Sequence, residues 1–444
     1  MDIENIKIIK NKFKVKHKIN YLFNFADQNF VYLFIIFLAV FLLMNKYPYL
    51  IIASFFILIV ISLISFFTNC EISSYLFKID IYLLIIYFYF LLSYFISGQS
   101  FRNLLNFGFL RYDGSFFFCY MPFILFAPVF LNYKKALNIY FNFLFIVFTL
   151  FSLEGIFEYS NQLNLLTVKI DDYYVGNMFV ALNNAHNATG SIYAIVSIFA
   201  LAFFISGKLN EKIAYGAILG LNLFALFITK SRGSLLAFII GAFFLFYIYS
   251  KSIIKFLRYI LILLILIVPF IFLTDTFNRI KQIFYASDLS TTTRISLWEK
   301  AIFLFKQSPI FGIGFGRYND AVLTYDKLKL SGIIGKIAFY KEQIFIYNDT
   351  NAHSTYLHFL AETGVIGLVM LLSFWIICFI IIFKAYRKSK DIFLSKVYLS
   401  VLSGIITLFF LSITENYMAA PTVMLCLSVV TSLTLGMYWQ ENKN

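Results

Sequence analysis

The stretch YLIIASFFILIVISLISFF, Tyr49 to Phe67, holds no charged residue, no proline and no glycine, and its apolar positions do not alternate with polar ones. At a rise of ~1.5 Å per residue a helix of this length crosses the ~30 Å hydrocarbon layer of a bilayer. Lipid offers no partner to backbone N–H and C=O groups, so such a run is a helix; a lipid-facing barrel strand would show a period of two. Phe30 to Met44 and Tyr259 to Leu273 read the same way. The whole 444-residue chain is 61% hydrophobic and 13% charged, far from the roughly half apolar and quarter charged balance of soluble domains. The fold class expected is an all-α polytopic membrane protein.

Working outward by hydropathy, about twelve transmembrane helices are expected. They lie near 29–44, 48–67, 79–97, 116–131, 138–155, 189–206, 212–229, 234–249, 256–274, 356–383, 396–413 and 419–438. The organisation is then a basic cytoplasmic N-terminus at 1–28, helices one to nine over 29–274, and one large periplasmic loop at 275–355. Helices ten to twelve follow over 356–438, and a short cytoplasmic tail at 439–444.

The net charge of +14 is explained by topology before nucleic acid, because its lysines punctuate the spans. Six lysines, Lys7, Lys10, Lys12, Lys14, Lys16 and Lys18, precede the first apolar run. They read as a cytoplasmic start and an uncleaved anchor. Four cysteines, Cys70, Cys119, Cys378 and Cys426, show no C-x-x-C spacing and no histidine neighbours, which argues against zinc, iron–sulfur or disulfide frameworks.

Arginine is distributed differently from lysine. Six of eight arginines, Arg102, Arg111, Arg232, Arg279, Arg294 and Arg317, fall on the expected outer side. A guanidinium fork suits bidentate contact with phosphate, so an outer face rich in arginine points to an anionic ligand, a lipid phosphate above all. The turn Thr229-Lys230-Ser231-Arg232-Gly233-Ser234 places two cations in a very short outer connection. They either snorkel to headgroups or clamp a phosphate, with Gly233 permitting close approach and the next helix start donating N–H groups.

In the long loop, Ile295, Trp298, Ala301, Ile302 and Phe305 recur at helical spacing after Thr291-Thr292-Thr293-Arg294. An amphipathic surface helix is expected, capped by threonine, with Arg294 in its first turn. The run Gly312-Ile313-Gly314-Phe315-Gly316-Arg317 lacks the spacing and βαβ context of a dinucleotide loop, and reads as a turn that approaches something closely. From His353, offsets of 4, 7, 11 and 14 place Leu357, Leu360, Gly364 and Gly367 on one helix side, a packing seam with an imidazole at its wet end. His358 lies elsewhere round that helix and reads as structural, whereas His186, in Asn183-Asn184-Ala185-His186-Asn187, is an alternative base or substrate contact.

Taken in order, three motifs resemble the O-antigen ligase and polymerase superfamily of bacterial surface-polysaccharide enzymes. They are the Thr229–Ser234 turn, R-x-x-x-W-x-x-A-x-x-x-F-x-x-S-P-x-x-G-x-G-x-G from Arg294 to Gly316, and H-x-x-Y-L-x-x-L-x-E-x-G-x-x-G from His353 to Gly367. The resemblance implies a GT-C-like glycosyltransferase of the bacterial inner membrane, with no metal or cofactor and an active site facing the periplasm. Its donor would be a glycan on undecaprenyl diphosphate. Its acceptor would be a sugar hydroxyl of the lipid A core in a ligase, or a second lipid-linked repeat unit in a polymerase. Carried over by position, Arg232 and Arg294 would stabilise the leaving diphosphate, while His353 would orient or deprotonate the acceptor. Lys230, Arg279, Arg317 and His186 are the further substrate-binding candidates. The single dominant loop favours the ligase. A flippase for lipid-linked glycans would instead carry ionisable residues inside its spans.

Overall fold

A computed structural model describes residues 73–104, 113–126, 133–161, 167–168, 178–179, 186–250, 252–273, 289–321 and 351–443. The expected spans 29–44 and 48–67, and the candidate Arg279, lie outside the described residues. The helices are α1 (Ser73–Ile96), α2 (Phe101–Leu104), α3 (Asp113–Phe126), α4 (Tyr133–Asn161), α5 (His186–Ser206) and α6 (Leu209–Ile228). There follow α7 (Arg232–Tyr249), α8 (Ile253–Leu273), α9 (Leu289–Gln307), α10 (Thr355–Lys388), α11 (Ile392–Thr414) and α12 (Pro421–Lys443). A two-residue antiparallel pair, β1 (Thr167–Val168) with β2 (Met178–Phe179), is the one sheet among the described residues.

Eight described helices, α1, α4, α5, α6, α7, α10, α11 and α12, are long and apolar enough to cross a membrane. The expected span 116–131 appears as the shorter α3, which carries Pro122 inside it. The expected span 256–274 corresponds to α8, and α12 continues through the expected tail to Lys443.

α5 is apolar on all sides, with Tyr193, Ala194, Ile195, Val196 and Ile198 fully buried, and it occupies the centre of the bundle against α6, α7 and α11. Lipid tails are as apolar as leucine, so such helices gain from close approach and from hydrogen bonds between them. Gly241 of α7 meets Thr407 of α11, where a Cβ would collide with the threonine hydroxyl. Short connections at 207–208 and 229–231 make α5, α6 and α7 run antiparallel in turn. The starts of α5, α7 and α10 and the end of α11 therefore share one end of the bundle. At the opposite end Lys396 Nζ donates to Glu211 Oε2 at 2.8 Å, and Lys134 pairs with Asp391.

The glycine-rich turn packs on a break in α10. Gly364 interrupts that helix at φ 65° and ψ −168°, a conformation that glycine adopts without a Cβ clash. The hydrogen bonds displaced by the break are made to the turn instead. Ile313 N–H donates to the Ala361 carbonyl (2.9 Å), Gly314 N–H to the Glu362 carbonyl (3.0 Å), and Val365 N–H to the Pro309 carbonyl (3.0 Å). Gly312, at φ 76°, sits so near the Glu362 carbonyl that no side chain fits between the two backbones. What the turn approaches closely is this kink.

The seam expected from His353 to Gly367 is corrected by the same features. α10 starts only at Thr355, after Ser354 has capped it by accepting from Leu357 N–H. His353 precedes the cap at φ 45°, and Gly364 has left helical geometry, so the five residues share no helix face.

Substituting Gly364→Ala places a Cβ against the Ile310 carbonyl and costs about 1–3 kcal/mol for the positive-φ backbone alone. The thermal unfolding midpoint in detergent is expected to fall, and an unchanged midpoint would contradict the docking described.

Candidate functional site

The site begins at the turn between α6 and α7. Thr229 Oγ1 donates to the Leu226 carbonyl at 2.7 Å, closing the end of α6. Lys230 then takes φ 55°, uncommon for a side chain other than glycine, and is buried. Ser231 precedes α7 but makes no side-chain cap; its hydroxyl is engaged by Asn187 Oδ1 (3.1 Å) and Ser234 Oγ (2.8 Å). The first turn of α7 therefore keeps its positive dipole end uncapped by Ser231. Gly233 packs against Thr414 of α11, so its small size is used for helix contact.

α9 starts at Leu289, earlier than expected, so Thr291–Thr293 are helical residues and not caps. Arg294 is consequently in the second turn, where the helix dipole adds little. Its position is set by side-chain partners. Arg294 Nη2 meets Glu415 Oε1 at 2.8 Å, and Nε donates to the Thr414 carbonyl at 3.2 Å.

Glu415, directly after α11, gathers the rest. Its Oε2 lies 2.6 Å from His353 Nδ1, and Asn187 Nδ2 donates to Oε1 at 3.1 Å. Its carbonyl accepts from Thr355 N–H at 3.2 Å. Burial alone raises a carboxyl pKa, but the neighbouring His353 and Arg294 charges outweigh it and hold Glu415 at about 2. An ionised carboxylate only accepts, so His353 Nδ1 carries a proton; in the neutral ring the lone pair is then on Nε2. The His353 backbone is held as well, by Asn351 Oδ1 accepting from its N–H (2.8 Å) and by its carbonyl accepting from Trp298 Nε1 (3.4 Å). The His353 side chain is 24% exposed.

A cavity of about 480 Å³ opens here. His186, Asn187, Lys230, Arg232, Arg294 and Glu415 line its polar part, and Leu235, Leu236, Ile239 and Leu411 its apolar part. The start of α5, the α6–α7 turn with the start of α7, and α9 thus bring together His186, Lys230, Arg232 and Arg294, with His353 one hydrogen bond away through Glu415. Arg317 is exposed on the glycine turn and is not among the lining residues. His358 lies in a separate buried group, with Nε2 3.4 Å from Glu362 Oε2 and its ring 5.0 Å from Tyr318.

Glu415 and Asn187 are the residues that sequence reasoning missed. Each carried a signal: Glu415 is a carboxylate at the boundary of an apolar span, and Asn187 adjoins His186 in a cluster of amides.

Residues 216–372 match a family model described as O-antigen ligase. That match supports the O-antigen ligase superfamily. The O-antigen ligase region includes Arg232, Arg294 and His353, whereas His186, Asn187 and Glu415 lie beyond it. The match points to an O-antigen ligase- or polymerase-type activity on lipid-linked glycans in the membrane. No curated protein matches the chain.

Because the folded-state pKa of Glu415 is depressed from 4.5 to about 2, its ionisation favours folding above pH 4.5. That contribution is lost as pH falls from about 4.5 to about 2. Thermal unfolding across this window should decline more steeply for the wild type than for Glu415→Gln, and equal slopes would argue against the assigned network.

Proposed function

We propose that the protein transfers a glycan from undecaprenyl diphosphate to a sugar hydroxyl of the lipid A core, with the cavity end of the bundle facing the periplasm of the bacterial inner membrane. The observation that carries this reading is the convergence of Lys230, Arg232 and Arg294 on one cavity beside the Glu415–His353 pair.

The roles follow from charge. As the bond between the anomeric carbon and the diphosphate oxygen breaks, its electron pair leaves with the diphosphate, and negative charge grows there. Arg232, Arg294 and Lys230 are pre-placed in one cavity to meet that charge. The acceptor oxygen attacks the anomeric carbon and forms the new glycosidic bond. His353 Nε2 takes the acceptor proton while Glu415 holds Nδ1–H and steadies the imidazolium that results. Glu415 is a positioning residue in this scheme. Each step uses only side chains, so the reaction as proposed needs no metal. The apolar wall formed by Leu236, Ile239 and Leu411 suits the polyprenyl end of the donor.

The same site serves a polymerase, in which a second lipid-linked repeat unit supplies the hydroxyl, and the product separates the two. Purified protein supplied with lipid-diphosphate glycan and lipid A core, in detergent and with chelator, is expected to form core-linked glycan. Elongated carrier-linked glycan without core would assign the polymerase.

Removing one charge-stabilising donor costs on the order of 10²–10³ in rate, and this is the loss expected for Arg232→Ala and for Arg294→Ala. Loss of a proton acceptor costs on the order of 10²–10⁴, the range expected for His353→Ala. Wild-type turnover in folded samples of all three variants would rule out the assigned roles.

A further inference from the structure

We propose that Trp298 is the platform on which a pyranose ring of the glycan stacks during transfer, an inference that rests on the glycosyl-transfer reading of the cavity.

The cavity offers the donor it is proposed to hold an apolar wall, a group of cations and an aromatic ring. Its apolar wall comes from α7 and α11, both long and apolar enough to cross a membrane, through Leu236, Ile239 and Leu411. Its cations come from the start of α7, the turn before it and Arg294 of α9. α9 is not among the helices apolar enough to cross, so the wall that it builds differs in kind from that of α7 and α11. Trp298 stands on that wall one helical turn beyond Arg294, on the same side of the helix. A polyprenyl diphosphate sugar has its tail, diphosphate and sugar in that fixed covalent order. With the tail against α7 and α11 and the diphosphate at the cations, a sugar ring adjoins the cations, and the large side chain that adjoins Arg294 on α9 is the indole.

The indole suits that neighbour. Its ring presents a wide, flat, electron-rich face, and the axial C–H groups of a pyranose form a flat patch of matching polarity. Its orientation is fixed by a contact on its edge, Nε1–H donating to the His353 carbonyl at 3.4 Å. That bond spends the polar edge on the protein, and the residue itself lines the cavity. It also ties the platform to the residue proposed to take the acceptor proton, where the anomeric carbon and the acceptor hydroxyl must meet. Packing into the core does not account for this residue. Leu297, Ala301 and Leu304 supply the buried side of α9, and Trp298 lies outside that stripe.

The test uses the full chain in detergent, with Trp298→Ala and Trp298→Phe. Phe keeps an aromatic face and loses the Nε1 bond. Trp298→Ala is expected to raise KM for one sugar substrate about tenfold, the scale of one aromatic stacking contact, with Phe recovering most of it. A rise confined to the acceptor assigns the acceptor ring, and one confined to the donor assigns the donor ring. In parallel, free repeat-unit oligosaccharide, carrying neither lipid nor diphosphate, is titrated while indole emission is followed. A saturable change in wild type that is absent from Trp298→Phe supports the platform, even if the Ala variant fails to fold. Unchanged KM for both substrates in folded Trp298→Ala overturns the platform and leaves the transfer reaction standing. A saturable emission change in a protein that shows no transfer supports the sugar site while overturning the proposed reaction. Neither transfer nor emission change overturns both.

Discussion

A carboxylate buried at the edge of a membrane bundle must be surrounded by partners, because the desolvation of an isolated charge costs several kcal/mol. Glu415 answers that requirement with a guanidinium, an imidazole and an amide drawn from three separate elements. Removing any of these partners leaves part of a buried charge uncompensated, so α9, the segment before α10 and the start of α5 are held in register by one side chain. The positions of Arg294 and His353 are therefore consequences of where α11 ends.

A second constraint sets the depth of that arrangement. The glycine turn after α9 fastens onto the kink in α10 by backbone hydrogen bonds, with Gly312 and Gly364 in conformations that place the two chains in direct contact. Phe315, next to them, stacks among Phe90, Phe116 and Phe359, anchoring the turn in the aromatic core. The segment that carries Arg294 and Trp298 is thus tied at one end to the core and at the other to Glu415. Its rigidity has a physical source in packing and hydrogen bonding, and a site for charge stabilisation benefits because pre-placed dipoles need no reorganisation.

Three cationic side chains and one carboxylate line the cavity that results. Lys230 and Arg232 enter from the α6–α7 turn, and the charge of Arg294 is matched by Glu415. An anion with an apolar tail fits both halves of such a space, which is the basis of the proposed donor. The O-antigen ligase match covers the cationic half of the cavity, while the acidic and amide groups that complete it come from outside that region.

The helical membrane fold was legible from composition and run length, because lipid allows few backbone solutions and the spans announce themselves locally. Arg232, Arg294 and His353 stood out for a similar reason, as charged or titratable groups in unexpected places along an apolar chain. The boundaries of α9 and the cap at Ser354 did not follow from periodicity, and the break at Gly364 depends on a turn about fifty residues away in the chain. Glu415 was the largest omission: an acidic residue at the end of a span looks ordinary until α9 and the His353 segment fold against it. Sequence alone determined which groups are chemically expensive to place in a membrane. Only the tertiary structure decided which of them compensate one another, because that is settled by distances of about 3 Å between residues far apart in the chain, as with Asn187 and Glu415, 228 positions apart.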